Sequence, residues 1–124
     1  MKKNLLIVGG IINVLFGLFH IWLGRSLHLA NGLTPPVQAL LEMFNVSGAL
    51  FIFFFAYASL FRRDELLATG LGKAVMIVCL LLYWARAAGE IVLFPGFSVA
   101  VFASCLIVGA IYLAVLVWPL KPAV

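Results

Sequence analysis

Charge is what this chain has least of. Asp, Glu, Lys and Arg make up only 10% of its 124 residues, against about 25% in a soluble domain. That shortage excludes a domain with a polar surface all round. Cysteine is scarce too, with only Cys79 and Cys105, each in the middle of an apolar run. No CxxC spacing exists, so paired-thiol redox chemistry has no support, and both thiols read as small hydrophobes. No nucleophile–base pair stands out either, because Ser47 and Ser104 fall away from the polar positions of their segments. The catalytic question therefore stays open.

What the chain has instead is long apolar sequence. Hydrophobic residues reach 66% and the mean hydropathy is +1.25, the composition of an integral membrane protein. The predicted fold is all-α, a bundle of four transmembrane helices running up-down-up-down, with spans at about 4–24, 37–61, 71–94 and 98–118. Four spans of ~20–25 residues use up the length as one domain. Met1-Lys2-Lys3 ahead of an apolar run resembles the start of a signal peptide. The run is too long, however, and His28-Leu29-Ala30 puts a large residue where cleavage wants a small one. An uncleaved first span is expected.

The net charge of +4 and a pI near 9.4 do not point to nucleic acid, because the cations flank spans and form no stripe for phosphates. Lys2, Lys3, Arg62, Arg63, Lys73 and Lys121 fall on one side of a four-span topology, and only Arg25 falls near the other. The positive-inside rule then places both termini in the cytoplasm and the protein in the cytoplasmic (inner) membrane, with membrane lipids as its surroundings. Arg62-Arg63-Asp64-Glu65 reads as a solvated loop between spans two and three.

Small and polar residues recur at helical spacing within each span. In span one, Gly10, Asn13, Gly17, His20, Gly24 and His28 share a stripe that allows a close neighbour. Span two carries Gln38, Glu42, Asn45, Ala49, Ile52 and Ala56, with Phe51, Phe54, Phe55 and Phe61 on its far side. Span three carries Val75, Cys79, Leu82, Tyr83, Arg86 and Glu90. Span four carries Ser98, Phe102, Cys105, Gly109 and Tyr112. Thr34 is placed to cap span two, with Pro35 and Pro36 in its first turn.

Arg86 and Glu90, one turn apart, carry the strongest signal. A charge inside a span costs at least ~2.5–3.5 kcal/mol, so such residues face protein or a cavity and mark function by default. At ~1.5 Å of rise per residue, His20, Glu42, Asn45, Tyr83, Arg86 and Glu90 lie at similar depth in the outer half. They are expected to converge as a ligand-binding pocket, with Arg25, His28 and Gln38 at its rim and His20 hydrogen-bonded to Glu42. The expected ligand is a small amphiphilic or anionic molecule, a lipid headgroup or a quinone.

Four alternatives remain. An ionic knot that only fixes helix register would need the same residues. Proton-coupled transport would use the carboxylates and histidine, but the polar lining does not continue to the cytoplasmic side. No cofactor is expected, and no metal site has recognisable spacing. Haem is open only across a dimer, since His20 and His28 lie ~12 Å apart on one helix. A subunit or assembly factor within a homodimer or larger membrane complex is the fourth, with Ala85/Gly89 and Cys105/Gly109 as close-packing pairs.

Overall fold

A computed structural model describes residues 1–93 and 96–118. Phe94, Pro95 and the tail from Pro119, with the cation Lys121, lie outside the described residues. The described chain is all-helical: α1 (Lys2–His28), α2 (Pro35–Phe61), α3 (Arg63–Ala68), α4 (Gly70–Val92) and α5 (Val99–Val117). All but α3 are long and apolar enough to cross a membrane.

The elements begin and end for local reasons. Gly32, at φ +90°, takes the left-handed conformation open to glycine and turns the chain after α1. Pro35 and Pro36 open α2, and Thr34 stands at its N-cap, although its side chain makes no capping bond. Thr69 and Ser98 do cap, accepting from the backbone N–H groups of Gly72 at 2.9 Å and Val101 at 3.4 Å.

The four charges after α2 do not form a loop. Arg63–Ala68 is a short helix with Asp64 and Glu65 in its first turn, where carboxylates suit the positive end of the dipole. Leu66 is buried beneath it. Gly72 lets α4 rest directly on the α3 backbone, because a Cβ there would collide with the main chain of Glu65 and Leu66. Lys3 pairs with Asp64 at 2.6 Å, tying the start of α1 to α3. Charged side chains gather at this end, the charged end, and His28 and Ser98 mark the other, the rim.

The glycine stripe of α1 packs against α2 as its spacing predicts. Gly10 faces Leu60, Gly17 faces Phe53 and Gly24 faces Asn45, so the two helices run antiparallel. α4 and α5 form a second closely packed pair, with the Trp84 indole over Gly109. The pairs meet where Gly9 approaches Ile111 and Tyr112. The core between them holds Leu6, Phe55, Met76, Cys79, Val108 and Val115. Phe55 is therefore a core residue, whereas Phe51, Phe54 and Phe61 of the same expected face are exposed. Large apolar side chains such as Leu15, Phe44, Leu71 and Val117 are exposed on all four long helices, the surface that a bilayer covers.

Candidate functional site

The six residues expected in one pocket are divided among separate groups. At the rim, His28 Nδ1 lies 3.1 Å from Glu42 Oε1. A carboxylate only accepts, so His28 carries its hydrogen on Nδ1. Gln38 Nε2 donates to the His28 carbonyl at 2.8 Å and to Glu42 Oε1 at 3.3 Å. It thereby satisfies a carbonyl that the end of α1 leaves without an intrahelical partner. Arg25 is exposed on the same helix.

Further in, His20 pairs with Asn45 and not with Glu42. His20 Nδ1 and Asn45 Oδ1 are 2.9 Å apart, and Asn45 Nδ2 donates to the His20 carbonyl, also at 2.9 Å. The antiparallel register decides this, since Gly24 and Gly48 make the room in which the two side chains meet. Glu42, three residues nearer the rim, reaches His28 instead.

Arg86 and Glu90 pair as their spacing predicts, with Arg86 Nη1 donating to Glu90 Oε2 at 2.6 Å. Glu90 Oε1 also accepts from the backbone N–H of Ser98 at 2.9 Å. The carboxylate so ties the start of α5 to α4, at the positive end of the α5 dipole. Glu90 is 4% exposed while the Arg86 side chain is 41% exposed, so the acid is enclosed and the cation opens outward.

Tyr83 belongs to a fourth group that draws one residue from each long helix. The Tyr83 hydroxyl donates to Asn13 Oδ1. Asn13 Nδ2 donates to the Tyr112 hydroxyl at 2.8 Å and to the Gly9 carbonyl at 2.9 Å. Ser59 Oγ meets the Tyr112 hydroxyl at 2.6 Å. All four residues are buried. The spacing puts Asn13 on the packing stripe of α1 and Tyr112 on that of the last span, but neither stands among the expected pocket residues, and Ser59 carries no expectation. The usable signal was one hydrogen-bonding residue per span, each on its inward face.

His20, Glu42 and Glu90 do not meet, and no group of three His, Cys, Asp or Glu gathers among the described residues. Ser47 and Ser104 return their hydroxyls to the carbonyls of Met43 and Ala100 on their own helices.

A groove of about 450 Å³ runs between α1 and α5, lined by Ile12, Leu15, Phe16, Phe19, Ala100, Val101, Ser104, Ile107 and Val108. Its size falls within the range of small-molecule sites, ~300–1,000 Å³. Ser104 brings the one hydroxyl in a lining that is otherwise hydrocarbon. The groove's end at Ala100 and Val101 lies two to three residues along α5 from Ser98, whose N–H is bonded to Glu90. Phe16 packs against Tyr83 with ring centroids 5.7 Å apart and ring planes tilted by 42°, three residues before Arg86 on α4. Compared with known families, curated proteins and solved structures, the chain finds no match in any of the three.

Proposed function

We propose that this is a multi-pass protein of the cytoplasmic membrane, up-down-up-down with both termini inside, that binds a small amphiphile in the outer leaflet. The surplus of cations at the charged end supports that orientation. The ligand's apolar tail lies in the α1–α5 groove, and its polar head reaches the Arg86 side of the ion pair. The observation that carries this reading is the groove itself, an apolar cleft of about 450 Å³ whose Ala100–Val101 end lies two to three residues along α5 from Ser98, the partner of the enclosed Glu90.

Glu90 already balances Arg86, so adding a full anion would leave net negative charge at low dielectric. A head with a neutral acceptor, such as the carbonyl of a quinone or an ester lipid, fits better. Transport draws less support, because the Phe53 ring over Gly17 separates the His20–Asn45 pair from the buried Asn13 group.

The test is native mass spectrometry of the purified protein after extraction in mild detergent. The wild type should retain a bound amphiphile, and Ser104→Trp should lose it while keeping its melting temperature. Equal retention by a stably folded Ser104→Trp would overturn the reading.

A further inference from the structure

The groove between α1 and α5 contains one polar side chain, and the hydrogen of that side chain is already used. Ser104 stands among Ile12, Phe16, Ile107 and Val108, and no other lining residue has a hydrogen-bonding side chain. Ser104 Oγ donates to the Ala100 carbonyl, one turn back on α5, at 2.6 Å. A hydroxyl has one hydrogen and two lone pairs, so what Ser104 has left to offer is acceptance. A ligand donor adds a hydrogen bond there and breaks none. A ligand acceptor is served only by giving up the bond to Ala100, one bond exchanged for another. Depth gives the added bond its weight. α5 is long and apolar enough to cross a membrane, and Ser104 lies ~9 Å along it from the N-cap Ser98. A ligand hydroxyl at that level has no water to turn to, so an acceptor on the protein is the partner it otherwise lacks.

We propose that the amphiphile in this groove carries an aliphatic hydroxyl on its tail, and that this hydroxyl donates to Ser104 Oγ. The class is a hydroxyacyl lipid, in preference to one with a plain hydrocarbon chain. α5 lines the groove from Ala100 to Val108, and Ser104 falls midway. The hydroxyl therefore sits roughly 6 Å below the Ala100 end, at the level of the tail and not of the head. A plain chain fills the same walls and leaves the Ser104 acceptor facing hydrocarbon. A hydroxylated chain fills them and pairs it. The inference rests on the groove being an amphiphile site, and it adds which amphiphile that site prefers.

The test is native mass spectrometry of the full chain in detergent, titrated with methyl stearate, a positional series of methyl hydroxystearates and the matching methyl methoxystearates. A methoxy group accepts hydrogen bonds but donates none. The best-placed hydroxystearate should be retained about fivefold more strongly than its methoxy counterpart and than methyl stearate, the effect of one side-chain hydrogen bond within a membrane. Ser104→Ala should bring it down to the level of methyl stearate, and Ser104→Thr, which keeps the hydroxyl, should keep the preference. A methoxystearate or plain ester held as tightly as every hydroxystearate would overturn the proposal, as would a preference that survives Ser104→Ala. Either result leaves the groove an amphiphile site. That broader reading fails in a different way, when the wild type retains no probe or a folded Ser104→Trp retains them all equally, and the hydroxyl proposal then falls with it.

Discussion

The Asn13 amide and the Tyr112 hydroxyl, 99 residues apart in the chain, meet at 2.8 Å inside the bundle. Asn13 both donates and accepts there, which no other residue type of its size does as well. It joins the first helix to the last and, through Tyr83, to α4.

Asn13→Ala should destabilise the protein by about 1–3 kcal/mol, because it strips partners from two buried hydroxyls. The Asn13→Ala, Tyr112→Phe double variant should cost less than the two single changes added together. Denaturation in detergent with increasing sodium dodecyl sulfate measures both.

Removing one member of the Arg86–Glu90 pair should have unequal effects. Arg86→Ala leaves an enclosed carboxylate with only the Ser98 N–H, while Glu90→Ala leaves a guanidinium that is 41% exposed. Losing a partner from a fully buried pair costs about 3–5 kcal/mol. The open side of Arg86 places Arg86→Ala below that range, and Glu90→Ala lower still. The order of the two unfolding midpoints is the check.

Two glycines should respond oppositely to alanine. A methyl at Gly9 finds ordinary contact at 3.4 Å with Ile111 and Tyr112, whereas at Gly72 it meets the backbone of α3. Gly9→Ala should change stability by less than about 0.5 kcal/mol. Gly72→Ala should cost about 3 kcal/mol, the upper end for overpacking, because main chain cannot move aside as a side chain does. Thermal midpoints of the purified variants decide it.

The Lys3–Asp64 contact predicts a response to acid. The hydrogen bond and charge of Lys3 hold the Asp64 carboxyl below the usual carboxylate range. A depressed value in the folded state means the tie is complete above the ordinary value, ~3.9. It is lost as pH falls through the lower folded value. A carbon-13 titration of the Asp64 carboxyl should show this depression, and Lys3→Gln should return it toward the ordinary value.

Hydropathy made the four spans legible, and the glycine stripe of α1 found its neighbour because small residues leave room for only close partners. The short helix α3 escaped because four charges in a row look like solvent-exposed loop. Its signals were local, with acids in the first turn and Thr69 as its stop. The pocket was drawn too generously, because helical spacing fixes which residues share a face but not which face looks at which. Moving from Glu42 to Asn45 is less than one turn along α2, about 4.5 Å of rise. That distance decided the partner of His20, and the sequence carries no ruler for it. Glu90 was legible as buried and paired, while its bond to Ser98 is a contact between two helices that spacing within one span does not give.

Phe53 has a further effect where it covers Gly17. A bilayer under potential works as a charged capacitor, in which moving one elementary charge across 100 mV is worth ~2.3 kcal/mol. A continuous wet seam along α1 and α2 would let protons discharge it. An aromatic ring seated in that seam would interrupt such a path between the histidine and carboxylate near one face and the hydroxyl network deep inside.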